Sequence, residues 1–116
     1  MFFNYNTFQF YIKPGYIVMR KGLPGLTLFI QEMMNLNPFS ENTMFLFCGK
    51  NKRTLKAIVW DKNGFWLMQK KLQMGTFVWP QTNEEVMKLT KNDVARLLSG
   101  QDIFRKLPNL GNEFVI

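Results

Sequence analysis

The chain has 116 residues, 47% of them hydrophobic and 12 of them Phe, enough for one domain with an aromatic-rich core and too few for a second. Fifteen Lys and Arg against eight Asp and Glu give a formal charge of +7, which favours acidic partners. The absence of histidine excludes histidine general bases, histidine triads and most zinc or iron sites, and a single cysteine, Cys48, excludes an internal disulfide.

Residues 1–7 are rich in aromatics and Asn without a period and are expected to form a loosely held arm. From Phe8 the chain alternates, with Phe8, Phe10 and Ile12 on one face, which predicts a strand ended by Pro14-Gly15. Leu26, Phe29, Ile30, Met33 and Met34 then recur at helical spacing behind Pro24 and predict a helix over 23–36, stopped by Pro38. Thr43 to Cys48 reads as an apolar strand in which Cys48 is a small buried hydrophobe, and Gly49 to Arg53 as a basic hairpin tip.

Leu55 to Pro80 reads as the centre of a β-meander, with Asp61-Lys62-Asn63-Gly64 as its turn. A type I turn closed by a left-handed Gly64 sets Lys56 opposite Lys70; a tighter Asn63-Gly64 turn sets it opposite Lys71. Both registers make like charges face each other, an arrangement suited to meeting an anion, the other reading being two flexible ammonium groups splayed into water. Thr76 to Val78 continues the meander, and Val86 to Leu89 is a short strand. Thr90 predicts a helix N-cap, with Asp93 in the first turn, Val94, Leu97 and Leu98 buried, and Gly100 as the stop. The expectation is an α+β domain spanning 1–116: an antiparallel meander of about five strands, a longer helix at 23–36, a shorter one at 91–99, and a loose tail at 105–116.

The eight carboxylates each have a role as helix surface, turn or cap, and neither a phosphate-binding glycine loop nor a nucleophile elbow is present, so no enzyme and no cofactor are expected. The basic residues suggest a nucleic-acid interface instead. Arg20 and Lys21 precede the first helix, Lys50, Lys52, Arg53 and Lys56 belong to one hairpin, and Lys70 and Lys71 to its neighbour, so a paired meander gathers them at one edge. Trp60 projects on the face of Lys56 and is a candidate for stacking on a base, the other reading being burial under the second helix. No apolar run reaches the length of a membrane span and no secretory signal opens the sequence, which predicts a cytoplasmic location.

Met19-Arg20-Lys21-Gly22, Asn37-Pro38-Phe39-Ser40, Phe45-Leu46-Phe47, Trp60-Asp61, Gly64-Phe65-Trp66-Leu67, Lys70-Lys71-Leu72 and Gly75-Thr76-Phe77-Val78-Trp79-Pro80 follow in an order and spacing that resembles the TnpB accessory family of the insertion-sequence sixty-six transposable elements. The chain departs from the usual pattern at Val18 and Pro24, where acidic residues are common in that family. The resemblance implies a non-catalytic companion of the transposase, needed for efficient transposition, and supplies no catalytic residue; taken with the basic residues it makes DNA at the element ends the expected partner, in a bacterial cytoplasm beside the nucleoid. It leaves open a second role, as an adaptor that holds the transposase without touching DNA.

Overall fold

An apolar run without polar alternation, such as Met44-Phe45-Leu46-Phe47-Cys48, is stable as a strand only where both of its faces are covered. The computed structural model describes residues 4–100 and meets that demand with β1 (Gln9–Ile12), α1 (Leu23–Glu32), β2 (Thr43–Cys48), β3 (Thr54–Asp61), β4 (Gly64–Lys71), β5 (Met87–Leu89) and α2 (Lys91–Leu98). The expected tail at 105–116 lies outside the described residues. The sheet order is β4-β3-β2-β1-β5, so β2 is central, and all six of its residues are buried. Its alternate side chains enter different halves of the core. Phe45 and Phe47 pack with Leu26, Ile30 and Met34 from the α1 side, while Met44, Leu46 and Cys48 pack with Val94 and Leu97 of α2.

The α+β class is as expected, but the sheet is mixed rather than an antiparallel meander. β1 runs parallel to β2, from Gln9↔Thr43 to Ile12↔Leu46, and the segment containing α1 is the crossover that a parallel pair requires. Side-chain alternation reports which face of a strand is buried and carries no information on the direction of its neighbour. Thr76 to Val78 adds no strand. Gly75, at φ +76°, turns the chain away from β4, and Phe77 and Trp79 bury against the α2 face, the Trp79 Nε1–H donating to Lys13 O at 2.8 Å.

α1 ends at Glu32, short of the expected Leu36, because Asn35 adopts φ +55° and redirects the chain while the Leu36 N–H returns to Ile30 O at 3.1 Å. The β3–β4 turn also differs from both expected registers. Asp61 pairs with Gly64, leaving Lys62-Asn63 as the loop, and the left-handed residue is Lys62 at φ +56° rather than Gly64. The Asn63 N–H donates to Asp61 O, which makes Lys62 the centre of a γ-turn. Lys56 therefore faces Gln69 instead of a lysine, and the expected like-charge pair does not form.

At α2 the capping box is complete. Thr90 Oγ1 accepts from the Asp93 N–H at 3.1 Å and Asp93 Oδ2 from the Thr90 N–H at 3.2 Å. Desolvation raises the Asp93 carboxyl, but the Thr90 hydrogen bonds and the Arg96 guanidinium at 2.9 Å outweigh it and hold the group below the usual carboxylate range. Its stabilising effect is thus fully present above the unfolded carboxylate value and lost as pH falls through the lower folded one. Thr90→Ala is expected to cost about 1 kcal/mol in urea denaturation. Asp93→Asn should be less stable than the parent at neutral pH, with the difference shrinking as the solution is acidified. Lys62→Gly relieves the left-handed backbone and is expected to raise the thermal midpoint, the gain being up to roughly 1 kcal/mol.

Candidate nucleic-acid interface

Three chain reversals lie at the same end of the sheet. The β2–β3 connection is tight: the Gly49 N–H donates to Thr54 O at 2.9 Å, the Lys52 N–H to Gly49 O at 3.0 Å, and Asn51 Oδ1 accepts from the Arg53 N–H at 3.0 Å. The C-terminal end of β4 arrives beside it, with Lys71 opposite Thr54, Lys70 opposite Leu55, and the Leu72 N–H on Arg53 O. The segment from Tyr16 to Lys21 crosses the same end, since the Ile17 N–H donates to Cys48 O at 3.0 Å. A Cβ on Gly49 would meet Met19 Cγ at 2.6 Å, so only glycine lets this segment lie so close to the hairpin.

These contacts bring together Arg20, Lys21, Lys50, Lys52, Arg53, Lys56, Lys70 and Lys71. Their side chains do different things. Lys56 Nζ donates to Met19 O and, at 3.2 Å, to Lys21 O, so it ties the approach to α1 down onto β3. Lys70 Nζ donates to Leu98 O at 3.0 Å, where a cation meets the negative end of the α2 dipole. Lys50 Nζ lies 5.9 Å from the Tyr16 ring centroid. Arg20, Lys50, Arg53 and Lys71 are exposed, and among the described residues none of them makes an ion pair. Lys70 and Lys71, as successive strand residues, point to opposite faces, so the cations wrap around the end of the sheet.

Trp60 stands apart from this group. It is four residues along β3 from Lys56, roughly 13 Å at strand rise, and half-buried on the α1 side. There it packs against Phe39 and Phe65, with ring centroids 5.1 and 4.9 Å away, rather than under α2. Glu32, Glu41, Asp61 and Asp93 also belong to that far end, at the close of α1, before β2, at the β3–β4 turn and in the first turn of α2. Asp61 Oδ2 accepts from Trp66 Nε1–H at 3.0 Å, in keeping with its role at the turn. Among the described residues no three metal-ligating side chains gather.

Tyr16 is the feature that the sequence did not signal. It sits outside any strand or helix, 53% exposed, on a depression of about 670 Å³ that Val18, Met19, Lys50, Asn51 and Thr54 also line. Burial pushes the Cys48 thiol at the end of β2 up to about 11, against the opposing pull of Lys52.

The tie made by Lys56 is testable. Lys56→Met keeps the length of the side chain and leaves two backbone carbonyls without their donor, so a loss of about 1–3 kcal/mol is expected in denaturant titration. Faster amide exchange in residues 19–22 should accompany it.

The family model described as IS66 Orf2 like protein matches residues 8–107. Two proteins of Sinorhizobium fredii (strain NBRC 101917 / NGR234) are also similar. The uncharacterized protein y4hO is 38% identical over 92 residues, 79% of each chain, and the uncharacterized protein y4jC is 26% identical over 83 residues, 72% of this chain and 70% of its own. No solved structure matches the chain significantly. The matched span takes in all five strands and both helices, and the chain belongs to the IS66 Orf2 like family of transposition accessory proteins.

Proposed function

We propose that the chain is a non-catalytic accessory of insertion-sequence transposition that binds DNA, at the element ends, through the basic end of its sheet. The observation that supports this reading is the convergence of Arg20, Lys50, Lys52, Arg53 and Lys71 from three separate chain segments, where they outnumber Glu84 and Glu85, which precede β5 at that end. A local excess of cations attracts a polyanion, and flexible cations on both faces of the sheet can follow a phosphate backbone without reading its sequence. Lys56 and Lys70 contribute charge while also holding protein backbone. Tyr16 offers an aromatic face beside Lys50, the combination on which an unpaired base stacks. No cofactor is required, and the place of action is the bacterial cytoplasm, at the nucleoid.

A second reading, an adaptor that grips the transposase, is favoured by Phe39, which is 47% exposed over Trp60 and Phe65 at the far end. A transposase complex that survives nuclease treatment and charge reversal at Lys70 and Lys71 would select it.

Titration of labelled DNA bearing the terminal repeats, at several salt concentrations, tests the first reading. Affinity is expected to fall with salt, with a logarithmic slope of about 0.9 per phosphate contacted on duplex. Replacing Lys50, Arg53 and Lys71 together by Gln should flatten that slope by roughly two to three. No binding even at low salt would refute the proposal. Tyr16→Ala should weaken single-stranded binding by about 1–3 kcal/mol and leave duplex binding nearly unchanged.

A further inference from the structure

β4 is an edge of the sheet and, at eight residues, much longer than the three-residue edge strand β5. Long exposed edges are ordinarily blunted by proline, a bulge, or charges placed within the strand, because their free N–H and C=O groups template further pairing. β4 has neither proline nor a break in its register with β3, and its two lysines stand at one end. Hydrogen bonds fix which backbone groups are outward. The Gly49 N–H bonds Thr54 O and the Leu72 N–H bonds Arg53 O, so Gly64, Trp66, Met68 and Lys70 turn to β3 while Phe65, Leu67, Gln69 and Lys71 turn away. Among the described residues no hydrogen bond reaches the outward groups of those four. Leu67 is 40% and Trp66 42% exposed on the same strand.

We infer that the occupant of this edge is a second copy of the chain, its β4 paired antiparallel about a two-fold axis through Met68. Charge decides the direction. A parallel pair would stack Lys70 and Lys71 beside their own copies, a repulsive arrangement, whereas the antiparallel pair sets them against the aromatic end of the strand. With Met68 on the axis, Lys71 lies opposite the partner's Phe65, Lys70 opposite the partner's Trp66, and Gln69 opposite the partner's Leu67. This register satisfies every outward N–H and C=O of both copies. It also pairs side chains of the same face, so the two five-stranded sheets become one, with like helices on the same side. Lys71 then lies across from an aromatic side chain instead of a second cation, while Lys70 keeps its hydrogen bond to Leu98 O. The two basic ends then point in opposite directions. The inference does not rest on DNA binding, and the dimer is measured without nucleic acid.

Sedimentation of the nuclease-treated full chain tests it: the mass should rise with concentration toward twice 13.7 kDa. Leu67→Pro removes an outward donor at an edge, where proline is tolerated, and should raise the dissociation constant at least roughly tenfold with an unchanged circular dichroism spectrum. Met68→Cys supplies an independent measurement. On the axis the two copies form a non-hydrogen-bonded pair with Cα atoms about 4.5 Å apart, within disulfide reach, so mild oxidation should give a covalent dimer, whereas Phe65→Cys should not. The buried Cys48 does not compete. A concentration-independent monomer, a dimer indifferent to Leu67→Pro, or a dimer that Met68→Cys fails to link would each overturn the inference.

Discussion

Burial of β2 on both faces is the constraint from which the architecture follows. A strand whose six residues are all removed from water cannot sit at an edge or under a single helix. It demands neighbours on both sides and cover above and below. β1 and β3 provide the neighbours, and α1 and α2 the cover, through two half-cores on opposite faces of the sheet. The aromatic richness of the chain is used here, since Phe45 and Phe47 fill one side while Phe77 and Trp79 extend the other. Truncating Phe45 or Phe47 would open a cavity between the sheet and α1.

The meeting of distant cations at one end of the sheet is a by-product of that arrangement. Because β2 and β3 are joined at one end and β3 and β4 at the other, residues far apart in sequence reach the same end through alternate connections. Cations on the 49–53 hairpin and at the close of β4 coincide for this reason. The cations that lie against backbone, Lys56 and Lys70, also serve the fold, one holding the entry to α1 and the other the exit from α2. A loss of affinity on mutating either therefore has two origins, local unfolding and lost charge. Lys50, Arg53 and Lys71 isolate the second.

Much of this was legible in the residues. The N-cap of α2, the bounds of β2 and the existence of β5 were readable because each depends on chemistry within a few positions, such as Thr90 at the head of its helix. That the 49–53 hairpin and the close of β4 share an end of the sheet was readable too, since it needs only that β2, β3 and β4 be consecutive hairpins. Three things were not. The parallel pairing of β1 depends on a crossover, which alternation does not encode. The hairpin register turned on a lysine accepting the left-handed backbone that composition assigns to Gly64. The engagement of Lys56 with Met19 and Lys21 joins groups 35 and 37 positions apart, and no local pattern announces a contact of that separation.

The mixed sheet also sets an order of events. β2, β3 and β4 are joined by short reversals and close loops of a few residues, which costs little entropy and is fast. β1 finds its place only after the chain has looped through α1, and β5 finds β1 only after nearly the whole domain has been traversed. On the ribosome β4 emerges ahead of β5, so the three-strand meander can pair before the strand that closes the opposite edge leaves the tunnel. The early sheet exposes the flank of β2 that β1 will cover, so the interval before docking is when the chain is most open to aggregation, and the late pairing of β1 and β5 ends it.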